Sequence, residues 1–182
     1  MLAAGAGRRA GGPKGLRRDG AGVAWVRRAA DVLTDGGCDR VLVVVGAAGD
    51  EVAALLDPGT TVVPCPDWAD GMSASLRTGL RATSADAVVV HLVDLPDVGA
   101  AVVRRLLEQG GRGRDALARA AYGGRPGHPV LVGADHVEPL LASLGGDRGG
   151  RAYLDRHGVR AVECGDLATG RDDDGPTSAT TP

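Results

Sequence analysis

The sequence predicts an α/β fold: a three-layer α/β/α, Rossmann-like domain around a mainly parallel, mixed sheet. Three observations predict it. Short apolar runs rich in valine at 41–45, 60–64 and 87–93 read as buried strands. Amphipathic helical patterns alternate with them, and such alternation builds βαβ units with helices on both sheet faces. A glycine-rich stretch follows the first apolar residues, where α/β sheets place ligand-binding turns.

The elements follow in order. Met1 and Leu2 are the whole apolar run before Ala3-Ala4-Gly5. Strands usually have ~5–6 residues, so the first strand is expected to be truncated, with the true start upstream or the domain damaged. Val23, Val26, Ala30 and Leu33 share one helix face; Leu76 and Leu80 share a second; Val98, Ala101, Val102 and Leu106 share a third. Asp50 and Asp97 stand where N-caps belong. Gly110-Gly111-Arg112-Gly113 is a turn. Beyond it, 116–122 and 130–132 are expected as strands, 134–144 and 150–157 as helices, and 159–163 as a last strand. The domain is expected to span 1–174, with 175–182 a small, polar, disordered tail.

At 182 residues the chain fits one domain. Its net charge of −2 is too small for a general nucleic-acid binder, and two Trp and two Tyr make no platform for stacking bases. The longest run without polar side chains, 41–49, is short of the ~20 residues of a membrane span. No signal-peptide pattern is present. Three scattered cysteines (Cys38, Cys65, Cys164) show neither zinc spacing nor a disulfide framework, so a cytoplasmic, reduced setting is expected. Among 21 basic residues only Lys14 is a lysine. The first thirty residues are strongly basic and the last twenty acidic. That asymmetry suits an anion site near the start and a cation site near the end, or a basic surface and an acidic tail.

The stretch Leu2-Ala3-Ala4-Gly5-Ala6-Gly7-Arg8-Arg9-Ala10-Gly11-Gly12-Pro13-Lys14 is the most informative. Glycines let backbone N–H groups approach a ligand and form a concave anion site. Arg9 adds a planar donor fork and Lys14 a mobile point charge, which together suit a triphosphate. The spacing is not that of a P-loop, because Pro13 separates Gly12 from Lys14. Nor is it the dinucleotide fingerprint, whose third glycine is replaced by Ala10. Further on, Asp94 ends a buried strand in Val93-Asp94-Leu95-Pro96, where a carboxylate suits Mg²⁺. His91, inside that strand, reads as a core histidine. Asp70 or Ser73 caps the helix carrying Leu76.

Leu2-Ala3-Ala4-Gly5-x-Gly7-x-Arg9-x-Gly11-x-Pro13-Lys14 resembles the signature of the MobA-like NTP transferase family, of the nucleotide-diphospho-sugar transferase fold, in its molybdopterin cytidylyltransferase-like branch. The resemblance implies transfer of a nucleoside monophosphate from an NTP (CTP or GTP) to a phosphorylated small-molecule acceptor such as molybdopterin, with Mg²⁺ and release of pyrophosphate. It implies nucleotide contacts from Leu2, Ala3, Ala4, Gly5, Ala6, Gly7, Arg9 and Lys14. Gly71-Met72-Ser73-Ala74-Ser75 is similar to the segment beside base and ribose, implicating Gly71, Met72, Ser73 and Ser75. Asp94 is implied as a metal ligand. Gly124-Arg125-Pro126-Gly127-His128-Pro129-Val130 is similar to the acceptor-side motif, implicating Arg125, Gly127 and His128; His128 equally suits a structural turn. Gly146-Asp147-Arg148-Gly149-Gly150-Arg151 is similar to a motif in which Asp147 caps a helix and Arg151 reaches a phosphate. Asp172-Asp173-Asp174-Gly175-Pro176 is similar to a metal-binding D-x-D-T-P, implicating Asp174, or is part of the acidic tail. Two other functions share the glycine-rich entry: an NAD(P)-dependent oxidoreductase and a non-catalytic nucleotide-binding domain.

Overall fold

The computed structural model describes residues 1–145 and 149–173. The chain runs β1 (Leu2–Ala3), α1 (Trp25–Asp35), β2 (Leu42–Val45), α2 (Gly49–Ala53), β3 (Thr61–Pro64), α3 (Met72–Arg81), β4 (Ala87–Val90), α4 (Ala100–Gly110), β5 (Leu117–Tyr122), β6 (Arg125–Gly133), α5 (Ala134–Ser143), α6 (Arg151–Arg156) and β7 (Arg160–Glu163). The expected tail, Asp147 and Asp174 lie outside the described residues.

Strands β1, β2 and β3 pair in parallel, and β4, β6, β5 and β7 form a second set. A parallel bridge between Leu2 and Leu92 joins them. There Leu2 N–H donates to the His91 carbonyl at 2.9 Å and Val93 N–H donates to the Leu2 carbonyl at 3.3 Å. The result is one sheet, ordered β3-β2-β1-β4-β6-β5-β7, in which β6 alone runs against its neighbours. This is the predicted α/β architecture.

The pleat sorts side chains by period two. Val43, Val45 and Leu131 enter a core with α1 and α4. Val44 turns to the other face, beside Ala4 and Cys65. Val130 and Val132 meet Leu76, Leu80, Leu140 and Leu154 of α3, α5 and α6. Helix α3 sits close because Gly79 has no side chain: a Cβ there would lie 2.9 Å from a Val44 methyl. Val26, Ala30 and Leu33 are buried as expected, but Val23 is exposed, because it precedes α1 in a turn closed by Asp19 N–H to the Val23 carbonyl. Ala101 faces solvent, and Val103 takes its place in the core.

The expected caps are absent. Gly71 and Gly99 occupy the cap positions of α3 and α4, and Ala48 that of α2, without side-chain bonds. The Asp97 carboxylate instead accepts from the N–H and hydroxyl of Thr169. Asp50 lies in the first turn of α2, where its charge suits the helix dipole.

Strand β1 has two residues. A cavity of about 460 Å³ continues its line between β2 and β4, lined by Val41, Leu42, Val88 and Val89 among others. The Met1 ammonium is buried at its end and donates to the Leu42 carbonyl at 2.7 Å. Burial pushes this ammonium down to about 6. His91 is 1% exposed, its Nδ1 has no hydrogen-bond partner, and burial pushes the ring down to about 3.

Both groups bind protons more weakly in the folded chain, so the unfolded chain takes up more as pH falls. The stability linked to Met1 is present above pH 8 and lost as pH falls toward 6; that linked to His91 is present above pH 6.5 and lost as pH falls toward 3. Urea unfolding is therefore expected to show stability falling from pH 8 to pH 5, with roughly 2 kcal/mol of the loss at pH 5 due to His91. His91→Gln is expected to lower stability outright yet flatten the slope below pH 6.5. An unchanged slope in that variant would remove His91 as the cause.

Candidate active site

The chain moves outward from β1 to β2 and β3, then returns to place β4 on the other side of β1. Neighbouring loops therefore part above β1 and β4, and such switch points open a crevice at the carboxyl ends of the strands. The crevice here is a cleft of about 490 Å³. Its floor is Leu2, Ala3, Ala4, Leu92 and Val93; one wall is the loop Gly5 to Arg8 with Lys14; the other is Trp68, Ala69, Gly71, Met72 and Ser75; Asp94 closes the β4 side.

The loop's path depends on Gly7. It sits at φ 57°, and a Cβ there would lie 1.8 Å from the Gly12 carbonyl oxygen. That close approach lets the Gly7 carbonyl accept from the N–H groups of Ala10 and Gly12 at 2.8 and 3.1 Å. Arg9 occupies the middle of the Arg8–Ala10 3-10 turn. A second such turn, Lys14–Leu16, brings the chain back over the cleft. Lys14 Nζ lies 2.8 Å from Asp94 Oδ2, with both side chains mostly buried.

The acidic end of the chain returns to the same point. Asp173 N–H donates to the Asp94 carbonyl at 2.9 Å, and the Asp173 carboxylate lies 3.6 Å from the Arg17 guanidinium. Arg17 also donates to the Ala10 carbonyl at 2.7 Å and lies over the Trp25 ring. The basic start and the acidic end thus meet beside Asp94.

A second pocket of about 270 Å³ lies on the α3/α5/α6 face of the sheet. It holds Gly127 and His128 together with Arg119, Arg151 and apolar residues, and it shares Met72 with the first. Burial holds the His128 imidazole below its ordinary range; Asp94 opposes this and Arg119 adds to it. Tyr122 donates to the His128 carbonyl at 2.7 Å, and the Glu163 carboxylate accepts from Gly123 and Gly124 N–H, fixing the β5–β6 turn.

Two expected residues stand apart. Arg125 is exposed at the β5–β6 turn and lines neither pocket, because β6 begins at Arg125 instead of near Val130 and carries it to the tip. Ser73 is buried and lies outside the cleft: Met72 and Ser75, three apart, share the cleft side of α3, and Ser73 falls round the helix beside Asp70 and Arg77.

The family model described as the MobA-like NTP transferase domain matches residues 1–162. The chain belongs to the MobA-like NTP transferase domain family. It is 36% identical over 187 residues to the nicotine blue oxidoreductase of Paenarthrobacter nicotinovorans, covering 96% of this chain and 90% of that one. It is 25% identical over 97 residues to the molybdenum cofactor cytidylyltransferase of Escherichia coli, covering 52% of this chain and 49% of the other. It superposes with a TM-score of 0.76 on Rv0371c of Mycobacterium tuberculosis, solved in complex with manganese, at 29% identity and covering 94% of this chain and 90% of that one.

Within this MobA-like domain, sequence reasoning missed Trp68 and Arg119. Trp68 belongs to no motif quoted above. Arg119 had one signal: it is the sole charge in the apolar strand Leu-Ala-Arg-Ala-Ala-Tyr.

Lys14 and Asp94 are in direct contact, so their single and double replacements are expected to be non-additive. A Lys14→Met, Asp94→Asn double-mutant cycle by chemical denaturation should give a coupling of about 1–2 kcal/mol. Additive effects would mean that the pair does not form in solution.

Proposed function

We propose that the protein is a metal-dependent nucleotidyltransferase, and the observation that carries this reading is Lys14 meeting Asp94 at the switch point beneath a glycine-rich loop. The backbone N–H groups of Ala4 to Gly7 cradle the NTP phosphates, and Lys14 turns from Asp94 to them. Arg9 adds a second cation. Trp68 and Met72 give the base an apolar wall, with Gly71 and Ser75 beside the ribose.

An oxygen of the acceptor phosphate forms a bond to the α-phosphorus, and the bond from that phosphorus to the oxygen bridging to the β-phosphate breaks. The electron pair leaves with pyrophosphate. Positioning and charge neutralisation supply the catalysis, and no side-chain nucleophile is required.

The donors present suit Mg²⁺, which accepts one or two carboxylates and fills its shell with phosphate oxygens and water. Asp94 is the carboxylate for it; among the described residues no cluster of three or more His, Cys, Asp or Glu exists. Asp174, by the resemblance of its acidic run to D-x-D-T-P, is the second ligand of this reading. The ion supplies neutralisation of charge on the phosphates. The manganese complex of Rv0371c supports a divalent ion here. Gly127 and His128 stand on the acceptor side, and a molybdopterin-like acceptor rests on the Escherichia coli relative and on the motifs.

The nicotine blue oxidoreductase favours a second reading, in which the cleft takes NAD(P)H and the neighbouring pocket an oxidised dye. Hydride transfer does not require a lysine and a metal-binding carboxylate together at the phosphate end, whereas nucleotidyl transfer uses both, so the transferase reading stands first.

Incubation with each NTP, Mg²⁺ or Mn²⁺ and molybdopterin is expected to release pyrophosphate for CTP or GTP. Lys14→Ala should lower kcat/KM by about 100-fold or more. Asp94→Asn should abolish the metal dependence with the fold intact by circular dichroism. NAD(P)H oxidation in the presence of nicotine blue, with no NTP turnover, would establish the oxidoreductase instead.

A further inference from the structure

The pocket that shares Met72 with the nucleotide cleft carries a charge imbalance. Among the described residues its lining holds two arginines, Arg119 and Arg151, and no carboxylate. Both arginines draw on one acid, Asp155 of α6: Arg119 lies 3.2 Å from one oxygen and Arg151 lies 3.7 Å from the other. One carboxylate between two guanidinium groups leaves a net positive charge.

The two arginines are not equivalent. Arg151 is 82% exposed at the mouth, where water screens it. Arg119 rises from the middle of β5 and is 15% exposed. Its Nε is fully buried and has no hydrogen-bond partner. A buried donor left unmade costs free energy, and a guanidinium presents its N–H groups in a fixed fork matched to an anionic oxygen pair. The rest of the lining is apolar: Leu76, Val90, Val130, Val132, Leu140 and Leu154. His128, held neutral by burial, adds no second charge.

We infer that this pocket is a binding site for an apolar body bearing an anionic oxygen group, carboxylate or phosphate, which pairs with Arg119. The inference rests on the transferase reading only in naming the occupant as the acceptor. In those terms the acceptor carries a second anion, distinct from the phosphate that attacks in the neighbouring cleft. Asp155 is a placeholder for that anion, holding Arg119 while the pocket is empty. Arg119 selects among acceptors, and the glycine loop with Lys14 and Asp94 handles the nucleotide.

Titration calorimetry on the whole chain tests this without turnover. The probes are phenyl phosphate, benzoate, phenol and inorganic phosphate, each with and without saturating CTP and Mg²⁺. Phenyl phosphate or benzoate is expected to bind in the millimolar range or tighter, above both phenol and inorganic phosphate, and CTP is expected to leave that binding in place. Which of the two binds identifies the head group.

Arg119→Gln should weaken the binding at least about tenfold, and Arg119→Lys less. Asp155→Asn frees both guanidinium groups and should tighten it severalfold, a direction that simple damage to α6 does not produce. Absence of probe binding, its loss under CTP, or Asp155→Asn binding no tighter than the parent would overturn the inference. CTP binding and pyrophosphate release, measured separately, report on the transferase reading, so failure of one leaves the other legible.

Discussion

Two backbone hydrogen bonds, from Leu2 to the His91 carbonyl and from Val93 to the Leu2 carbonyl, turn two small sheets into one. The glycine loop leaves the sheet directly after β1, and Asp94 leaves it directly after β4. Their separation is therefore that of neighbouring strands, ~4.8 Å, adjusted by side-chain reach. Lys14 and Asp94 come from 80 positions apart, yet they need no special device to meet. The sheet order brings them together, and both core faces, buried by α1 and α4 on one side and α3, α5 and α6 on the other, hold that order in place.

The shared pocket wall at Met72 has a parallel logic. Helix α3 lies against β2 because Gly79 lets Val44 approach, and this sets where its first turn stands. Met72 is half-exposed at that turn and borders both pockets. The cleft and the arginine pocket are therefore adjacent rooms with a flexible thioether between them, an arrangement suited to two reactants that must touch at one end only.

The fold was legible wherever a local pattern coincided with burial on one face. Val26, Ala30 and Leu33 are examples, as are the valine runs of β2 and β4. It was less legible where tertiary pairing overrode local chemistry. Arg125-Pro126-Gly127-His128-Pro129 carries every mark of a turn, yet β5 pairs with Arg125 and Pro126 and extends β6 through it. Capping follows a similar rule: Asp97 pairs with Thr169, 72 residues away, and Gly99 stands at the cap of the helix beside it. The nucleotide side of the site was visible because its chemistry is contiguous from Leu2 to Lys14. Arg119 was not, because its meaning depends on Asp155 and on a pocket whose walls come from six elements. The solitary lysine proved informative: it occupies the position opposite Asp94, where a compact ammonium fits between a carboxylate and a backbone loop.

The Asp173-to-Asp94 bond and the Arg17–Asp173 contact tie the last described residue to the first loop. A ribosome delivers Asp173 long after Arg17 and Asp94. While the last strand is still inside the exit tunnel, the glycine loop and Asp94 are already outside, but the segment that braces them is not. The site therefore reaches its final form only after Asp173 has emerged, and a chain that stops short of Asp173 has the loop without its brace.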